Sequence, residues 1–386
     1  MARSNKYQPP QEATALVDEL LEQAITTQAS DIHFEPTVGG MLVKYRLDGQ
    51  LQVVRQVPKG LSENLVARLK VLAGLLTYRN DIPQEGRIDL ENQGSDTVVT
   101  EMRLAVFPTI NGQRAVIRLF YQFDELQDIS RLGMPESIQT LLLDFVGRSQ
   151  GILLLTGPAG SGKSTTLAAL MRHILTHTPG RSVVTVEDPV EIRIDGAAQV
   201  QITPHGEMTF PMALRSLLRQ DPQILMLGEI RDAETARIAV EAGLTGHLLA
   251  STLHSGTPAG GLVRLLEMGI EPYQVTSSVT AVINQRLVRH LCPDCKKPAG
   301  ASSCAPVGCD RCLGTGYKGR LLLAEALTLD TAVRHAVLAR ADVATLTDLQ
   351  NKQGNMPLLE TGRLLIGQGL TTEAELQRVC GSSTAP

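Results

Sequence analysis

The stretch GILLLTGPAGSGKSTT, residues 151–166, decides how the rest of the chain is read. Its first six residues form a short apolar run of strand length. Gly157-Pro158-Ala159-Gly160-Ser161-Gly162-Lys163-Ser164 follows as a complete G-x-x-x-x-G-K-S, and Thr165 leads into the helix-forming segment TTLAALMRHIL. Strand, glycine-rich loop and helix in that order are the setting in which this motif cradles a nucleotide phosphate. Glycines let the loop wrap an anion with backbone N–H groups and accept positive φ. The helix N-terminus adds partial positive charge. Lys163 is expected to reach the β- and γ-phosphates, and Ser164 to ligate Mg²⁺.

Working outward, three more apolar runs resemble the first in length: SVVTVED, QILMLGE and HLLASTLH. Each is apolar on both faces and separated from the next by helical segments. That is the signature of a parallel sheet buried between helices. Ligands bind beyond the carboxyl ends of such strands. Glu187 and Asp188, with Glu191 just beyond, stand at one end, and Glu229 and Asp232 at another. These acids can serve Mg²⁺ and orient an attacking water. Asp188 before Pro189 and Asp232 before AETARIAVEAG also suit helix N-caps, so both roles stand for them. His247 and His254 flank HLLASTLH, and either is a candidate sensor of the γ-phosphate. A guanine switch is disfavoured: the Asn-Lys after the loop reads Asn351-Lys352-Gln353-Gly354, not N-K-x-D.

The chain has 386 residues, enough for two or three domains, with 43% hydrophobic and 20% charged residues. With no Trp, six Phe and six Tyr, the core must rest on aliphatic side chains. The formal charge of −4 provides no global field for nucleic acid or anionic lipid. MARSNKYQPPQE lacks the apolar stretch of a signal peptide, and runs such as Ile152–Leu155 fall far short of a membrane span. A cytosolic protein is expected. Residues 1–10 read as a disordered tail. An α+β unit spans 11–123, with Leu16, Leu20, Leu21 and Ile25 on one helical face and a hairpin turn at Asp48-Gly49. A linker covers 124–135, and the ATPase domain 136–290. A cysteine-rich module covers 291–320. The region 321–386 is expected to be helical, fraying at 381–386.

Four of six cysteines form two pairs, Cys292-Pro-Asp-Cys295 and Cys309-Asp-Arg-Cys312, separated by 13 residues. Two knuckles of thiolates suit tetrahedral Zn²⁺. A loop-rich segment with little core of its own would take its folding energy from the metal. Cys304 is the expected spare, and Cys380 is expected to be free. Without a basic, aromatic-rich stripe beside it, the zinc is read as structural and no nucleic acid is expected.

In order, the sequence contains QASDIHFEP (28–36), YRLDG (45–49), PQEGRI (83–88), the phosphate loop, VEDPVE (186–191), LLRQDPQILMLGEIRD (217–232), TGHLLASTLHSGTP (245–258) and QRLVRHLCPDC (285–295). Together they resemble the secretion-superfamily ATPases of type II secretion and type IV pilus assembly, from about residue 14 to 320. The resemblance implies a PAS-like N-terminal domain, a RecA-like motor and a homo-hexameric ring with ATP held between the two domains. It implies catalytic roles for Glu187, Glu229 and the histidines. By position, Arg103 and Arg118 resemble arginines that reach the phosphates, a task suited to a planar cationic fork. Arg215, Arg219 and Arg231 resemble arginines near the site or between subunits. The implied function is ATP-driven assembly of a pseudopilus or pilus through an inner-membrane platform protein, with the motor cytoplasmic and peripheral at that membrane. Beginning almost at ASDIHFEP, the sequence is expected to be a short form without the additional N-terminal docking domain usual in assembly ATPases. Retraction ATPases are also short but lack the paired cysteines, which favour an assembly-type motor. A conjugation-type or DNA-translocating ATPase is the alternative, disfavoured by the charge and the scarcity of aromatics.

Overall fold

The computed structural model describes residues 11–88, 99–121, 126, 128–203, 206–300 and 303–381. The tail expected at 1–10, the end at 382–386, and positions 124, 125 and 127 of the expected linker lie outside the described residues. The chain divides into two compact units, one of residues 1–123 with 309–315, the other of 124–308 and 316–386.

The first unit contains α1 (Gln11–Thr26), β1 (Asp31–Thr37), β2 (Gly40–Leu47), β3 (Gln50–Pro58), α2 (Lys59–Leu72), β4 (Gln84–Ile88), β5 (Val99–Thr109) and β6 (Gly112–Tyr121). The strands form an antiparallel sheet in the order β3-β2-β1-β6-β5-β4. Asp48 and Gly49 both take positive φ between β2 and β3, as a two-residue hairpin turn requires. One sheet face is apolar. Ile32, Phe34, Val43, Tyr45, Leu104 and Ile117 pack there with α1 and α2. In α1 the fully buried positions are Ala13, Val17, Leu20 and Ala24, while Leu16, Leu21 and Ile25 flank them. The buried stripe is thus rotated from the expected one, because small alanines let the helix approach the sheet closely. The opposite sheet face is charged. Arg46, Asp31, Arg118, Arg103 and Arg87 are successive cross-strand partners, so they form one row across the sheet.

The second unit begins with α3 (Glu136–Val146), β7 (Gly151–Thr156), α4 (Lys163–His177), β8 (Val183–Glu187), β9 (Ala198–Gln201), α5 (Phe210–Leu217), β10 (Ile224–Leu227), α6 (Ala233–Leu244) and β11 (Leu248–Leu253). It continues with α7 (Pro258–Glu267), α8 (Pro272–Ser278), β12 (Val279–Leu291), two-residue strands β13 (Lys297–Pro298) and β14 (Cys304–Ala305), and β15 (Tyr317–Thr328). Helices α9 (Thr331–Leu338), α10 (Val343–Lys352), α11 (Leu358–Gly367) and α12 (Glu373–Cys380) close the unit. Its main sheet runs β15-β12-β7-β11-β10-β8-β9, parallel except for β15. Both faces are covered. Ile152 and Leu154 of β7 enter one core and Leu153 and Leu155 the other. β10 alternates likewise, with Leu225 and Leu227 on one side and Ile224 and Met226 on the other. This explains why the strands read as unbroken apolar runs.

The expected helical region from 321 begins instead as a strand. LLLAEALT continues β15 to Thr328 and pairs with β12 from Ala281↔Thr328 to Arg289↔Arg320. Leu and Ala favour helix locally, but β12 offers an open ladder of backbone groups, and tertiary pairing overrides the local preference. Helices follow only from Thr331. Among the described residues, no helix is long and apolar enough to cross a membrane.

Candidate nucleotide site and cysteine cluster

The parallel register determines which residues meet. Leu253 of β11 pairs with Thr156 of β7, and Leu227 of β10 pairs with Val186 of β8. The chain leaves β7 into the phosphate loop, β8 at Glu187, β10 at Gly228-Glu229 and β11 at His254. All four exits lie at one edge of the sheet, on strands spaced about 4.8 Å apart.

The loop itself is shaped by its glycines. Gly157, Gly160 and Gly162 have φ of 137°, 74° and 92°. A Cβ on Gly157 would come within 2.5 Å of the Gln285 carbonyl oxygen, so only glycine fits there. Gly162 caps α4, whose first residue is Lys163. Pro158, Ala159 and Gly160 are exposed at the tip, while Ser161 is buried and Ser164 and Thr165 start the helix. The Ser161 hydroxyl is buried without a hydrogen-bond partner. Lys163 Nζ donates to the carbonyls of Gly157 and Pro158 at 2.8 and 2.9 Å. Burial lowers the Lys163 ammonium below the usual lysine range. The charge of Glu229 opposes that shift, that of Arg286 adds to it, and Glu191 opposes it again. A backbone nest, an orphaned hydroxyl and a cation resting on neutral oxygens together fit a nucleotide phosphate.

Glu187 and Glu229 differ in their surroundings. Glu187 is buried, and its Oε1 accepts from Thr185 Oγ1 at 2.6 Å and Gln199 Nε2 at 3.0 Å. Burial raises its carboxyl above the usual range, against the two hydrogen bonds, and the nearby Glu191 raises it further. Glu187 shares a small cleft with Ser164, Glu191 and Gly228, which places a hydroxyl and two carboxylates where Mg²⁺ can be held. Glu229 accepts from Arg231 Nε at 2.7 Å, and its Oε1 lies 2.6 Å from His254 Nε2. Arg231 also reaches Asp188 Oδ2 at 3.3 Å. Asp232 caps α6 by accepting from the Thr235 amide.

The histidines separate. His254 follows the last residue of β11 and stands at the loop edge. His247 precedes Leu248, which pairs with Gly151 at the start of β7. Five strand steps, about 17 Å, lie between the two ends. His247 therefore lies away from the phosphate loop of its own chain. Its ring instead sits 3.1 Å from the Ala242 carbonyl, closing the turn after α6. A sequence places both histidines beside a strand, but only the strand's direction says which end is functional.

In the first unit, Arg118 donates to Asp31 at 3.1 Å, and Arg103 pairs with Glu101 at 2.8 Å and lies over the Phe120 ring at 4.7 Å. Arg215 pairs with Glu234, and Arg219 is exposed. Residues that sequence reading left without a role include Thr185 and Gln199 on Glu187. Thr252 is another, its hydroxyl donating to the Gly228 carbonyl at 2.7 Å. So are Asn284 and Arg286 behind the loop. The polar residues inside otherwise apolar strands were their one signal.

The sulfurs of Cys292, Cys295, Cys309 and Cys312 all lie within 4.8 Å of one another. A tetrahedral zinc with bonds of about 2.3 Å places its thiolates about 3.8 Å apart, and Cys309 and Cys312 are 3.8 Å apart here. The amides of Gly308 and Cys309 donate to the sulfurs of Cys295 and Cys312 at 3.3 and 3.2 Å. Such bonds orient and stabilise thiolates. The donor set fits zinc. Cys304 and Cys380 are half-buried and outside the cluster, and burial raises the Cys380 thiol.

Residues 9–378 match the family described as Type II/IV secretion system protein. The chain is 38% identical to the Type IV pilus assembly ATPase PilB of Thermus thermophilus, over 94% of this chain and 42% of that protein. It is 38% identical to the Type II secretion system ATPase E of Vibrio cholerae serotype O1, over 95% of this chain and 75% of that one. The putative type II secretion system protein E of Escherichia coli K12 is also 38% identical, over 95% and 77%. The chain thus spans less than half the length of the Thermus relative and about three quarters of the other two. Among solved structures, the ATPase DotB of Legionella pneumophila superposes with a TM-score of 0.70 at 23% identity, covering 98% of this chain and 97% of that one. The pilus retraction motor PilT gives 0.64 at 24% identity, over 95% and 96%. At these identities the two structures attest the fold.

Proposed function

We propose that this chain, which belongs to the Type II/IV secretion system protein family and is an ATP hydrolase, powers assembly of a type II secretion pseudopilus or type IV pilus. The observation that carries the reading is the convergence of Lys163, Ser164, Glu187, Glu229 and His254 at one sheet edge. In this reading the amides of residues 157–165 and the Lys163 ammonium bind the phosphates of ATP. Ser164, Glu187 and Glu191 would hold Mg²⁺, which would supply charge neutralisation for the phosphoryl oxygens. Glu187 and Glu229 share two tasks, serving the metal and orienting the attacking water. His254, held against Glu229, hydrogen-bonds the γ-phosphoryl region. Arg103 and Arg118 are assigned to the phosphates by resemblance to the family.

The finer reading is a homo-hexamer, cytoplasmic and peripheral at the inner membrane, acting on a platform protein there. Its first unit is read as PAS-like, supported by an antiparallel sheet with both helices on one face. Zinc in the four-cysteine cluster is read as structural, supported by the sulfur spacing. About one zinc per chain is expected by elemental analysis, and Cys292→Ser should lose it. The names of the relatives favour this reading over a DNA-translocating motor.

Mg-ATP turnover of the purified chain tests the proposal, with Lys163→Ala and Glu229→Ala alongside and mass followed by light scattering. Turnover lost in both variants, in a species about six times the monomer mass, supports the ring motor. A wild-type hexamer without turnover, even with membranes added, overturns it.

A further inference from the structure

Behind the phosphate loop, β12 carries three consecutive polar residues where its neighbours are apolar. Asn284 pairs with Thr156, the last residue of β7, so Gln285 and Arg286 continue alongside the loop. Asn284 and Gln285 are fully buried. Gln285 Nε2 donates to Thr166 in the first turn of α4 at 2.9 Å. Arg286 is half-buried and donates three hydrogen bonds from its two terminal nitrogens. Nη1 donates to Asn284 Oδ1 at 2.9 Å and to the Gln285 carbonyl at 3.1 Å. Nη2 donates to the Gly256 carbonyl at 2.9 Å. Asn284 Nδ2 donates to the same Gly256 carbonyl at 3.0 Å and to Glu325 Oε1 at 2.9 Å. Glu325 in turn accepts from the Leu358 amide that starts α11.

Two features make this more than core packing. Gly256 lies two residues beyond His254, so the fork grips the loop that presents the histidine to Glu229. Arg286 Nη1 also stands 3.2 Å from where a Cβ of Gly157 would be, so it backs the first glycine of the phosphate loop. One guanidinium therefore spaces the phosphate loop against the histidine loop. Burial lowers the Arg286 pKa, yet a guanidinium keeps its charge. Among the described residues its hydrogen-bond acceptors are neutral oxygens, as are those of Lys163.

We propose that Arg286 is a positioning residue for ATP hydrolysis: held by Asn284, it sets the distance between the phosphate loop and the loop of His254. The inference rests on the reading of this edge as the ATP site. It acts through geometry, because the planar fork binds three acceptors in fixed directions, which an ammonium cannot reproduce. Small misplacements of catalytic groups cost rate far more than binding.

The test compares wild type with Arg286→Lys and Arg286→Ala in the full chain, measuring Mg-ATP turnover, fluorescent ATP-analogue affinity and thermal unfolding. Both variants are expected to bind the analogue within about threefold of wild type while kcat falls at least about tenfold. Arg286→Lys should fail to rescue. Restoration of kcat by lysine would overturn the proposal in favour of a purely electrostatic role. Unchanged kcat in both variants, with only a lower melting temperature, would overturn it in favour of a structural role. Absence of analogue binding in the wild type, or binding insensitive to Lys163→Ala, would instead refute the ATP site on which the inference rests.

Discussion

The two sheets of this protein are covered differently, and the difference tells where chemistry can sit. The parallel sheet of the second unit is buried on both faces, with β7 and β10 alternating their side chains between two cores. Among the described residues, Lys163, Ser164, Glu187, Glu229 and His254 of that unit stand at the carboxyl edge of its strands. The antiparallel sheet of the first unit is buried on one face only. Its other face displays a cross-strand row of four arginines and Asp31. Asp31 serves Arg46 and Arg118 together, and Glu101 serves Arg87 and Arg103. A doubly covered sheet thus concentrates function at loop exits, whereas a half-covered sheet can present a charged surface.

Substitutions on each sheet can break or sharpen that contrast. The largest effect is expected at the parallel edge. Lys163→Ala removes the cation of the phosphate loop and should lower turnover at least about a hundredfold. Residual activity near wild type would show that the edge is not where ATP reacts. Glu187→Gln should lower turnover at least about tenfold while leaving stability equal or greater. The sign follows from its raised carboxyl pKa. Above the unfolded-state value of 4.5, the folded state resists ionisation and loses stability as pH rises. A neutral amide keeps the Thr185 contact without that cost. A melting temperature well below wild type at neutral pH would contradict this account of Glu187.

On the half-covered sheet, Arg118→Ala should lower turnover about tenfold with the fold intact, since its guanidinium is largely exposed. Unchanged turnover would reduce the arginine row to surface charge. A separate effect concerns acid stability. Glu375 is buried in α12, between Arg289 and Arg378. Burial works against its ionisation, but the hydrogen bonds from those arginines and the Arg289 amide bring its carboxyl down to about 2. The ionised form therefore contributes about 3 kcal/mol above pH 4.5, fading as pH falls toward 2. Glu375→Gln should lower the melting temperature at pH 7 and flatten its decline in acid. A decline as steep as wild type would assign the acid sensitivity elsewhere.

How much was legible in the sequence varied with the range of the interaction. GxxxxGKS between an apolar run and a helix is a local pattern, and the structure puts its loop at a strand exit leading into α4. Asp48-Gly49 specified its hairpin because positive φ is a local demand. The cysteine pairs announced a cluster because thiolate spacing within each knuckle is short-range. Reading failed where partners were distant. Residues 321–328 favour helix locally but complete a sheet with β12. His247 and His254 looked equivalent until the direction of β11 separated them.

By itself, then, the sequence determined the motif-bearing elements: the phosphate loop, the apolar strands around it, the acids after two of them and the four-cysteine set. Each follows from periodicity, backbone geometry or short spacing, which neighbouring residues impose on one another. Only the tertiary structure decided strand order, the conversion of residues 321–328 to strand, the separation of the histidines and the polar brace of Asn284, Arg286 and Gly256. These depend on hydrogen bonds between residues far apart in the chain, where burial makes each polar group find a partner that no local pattern names.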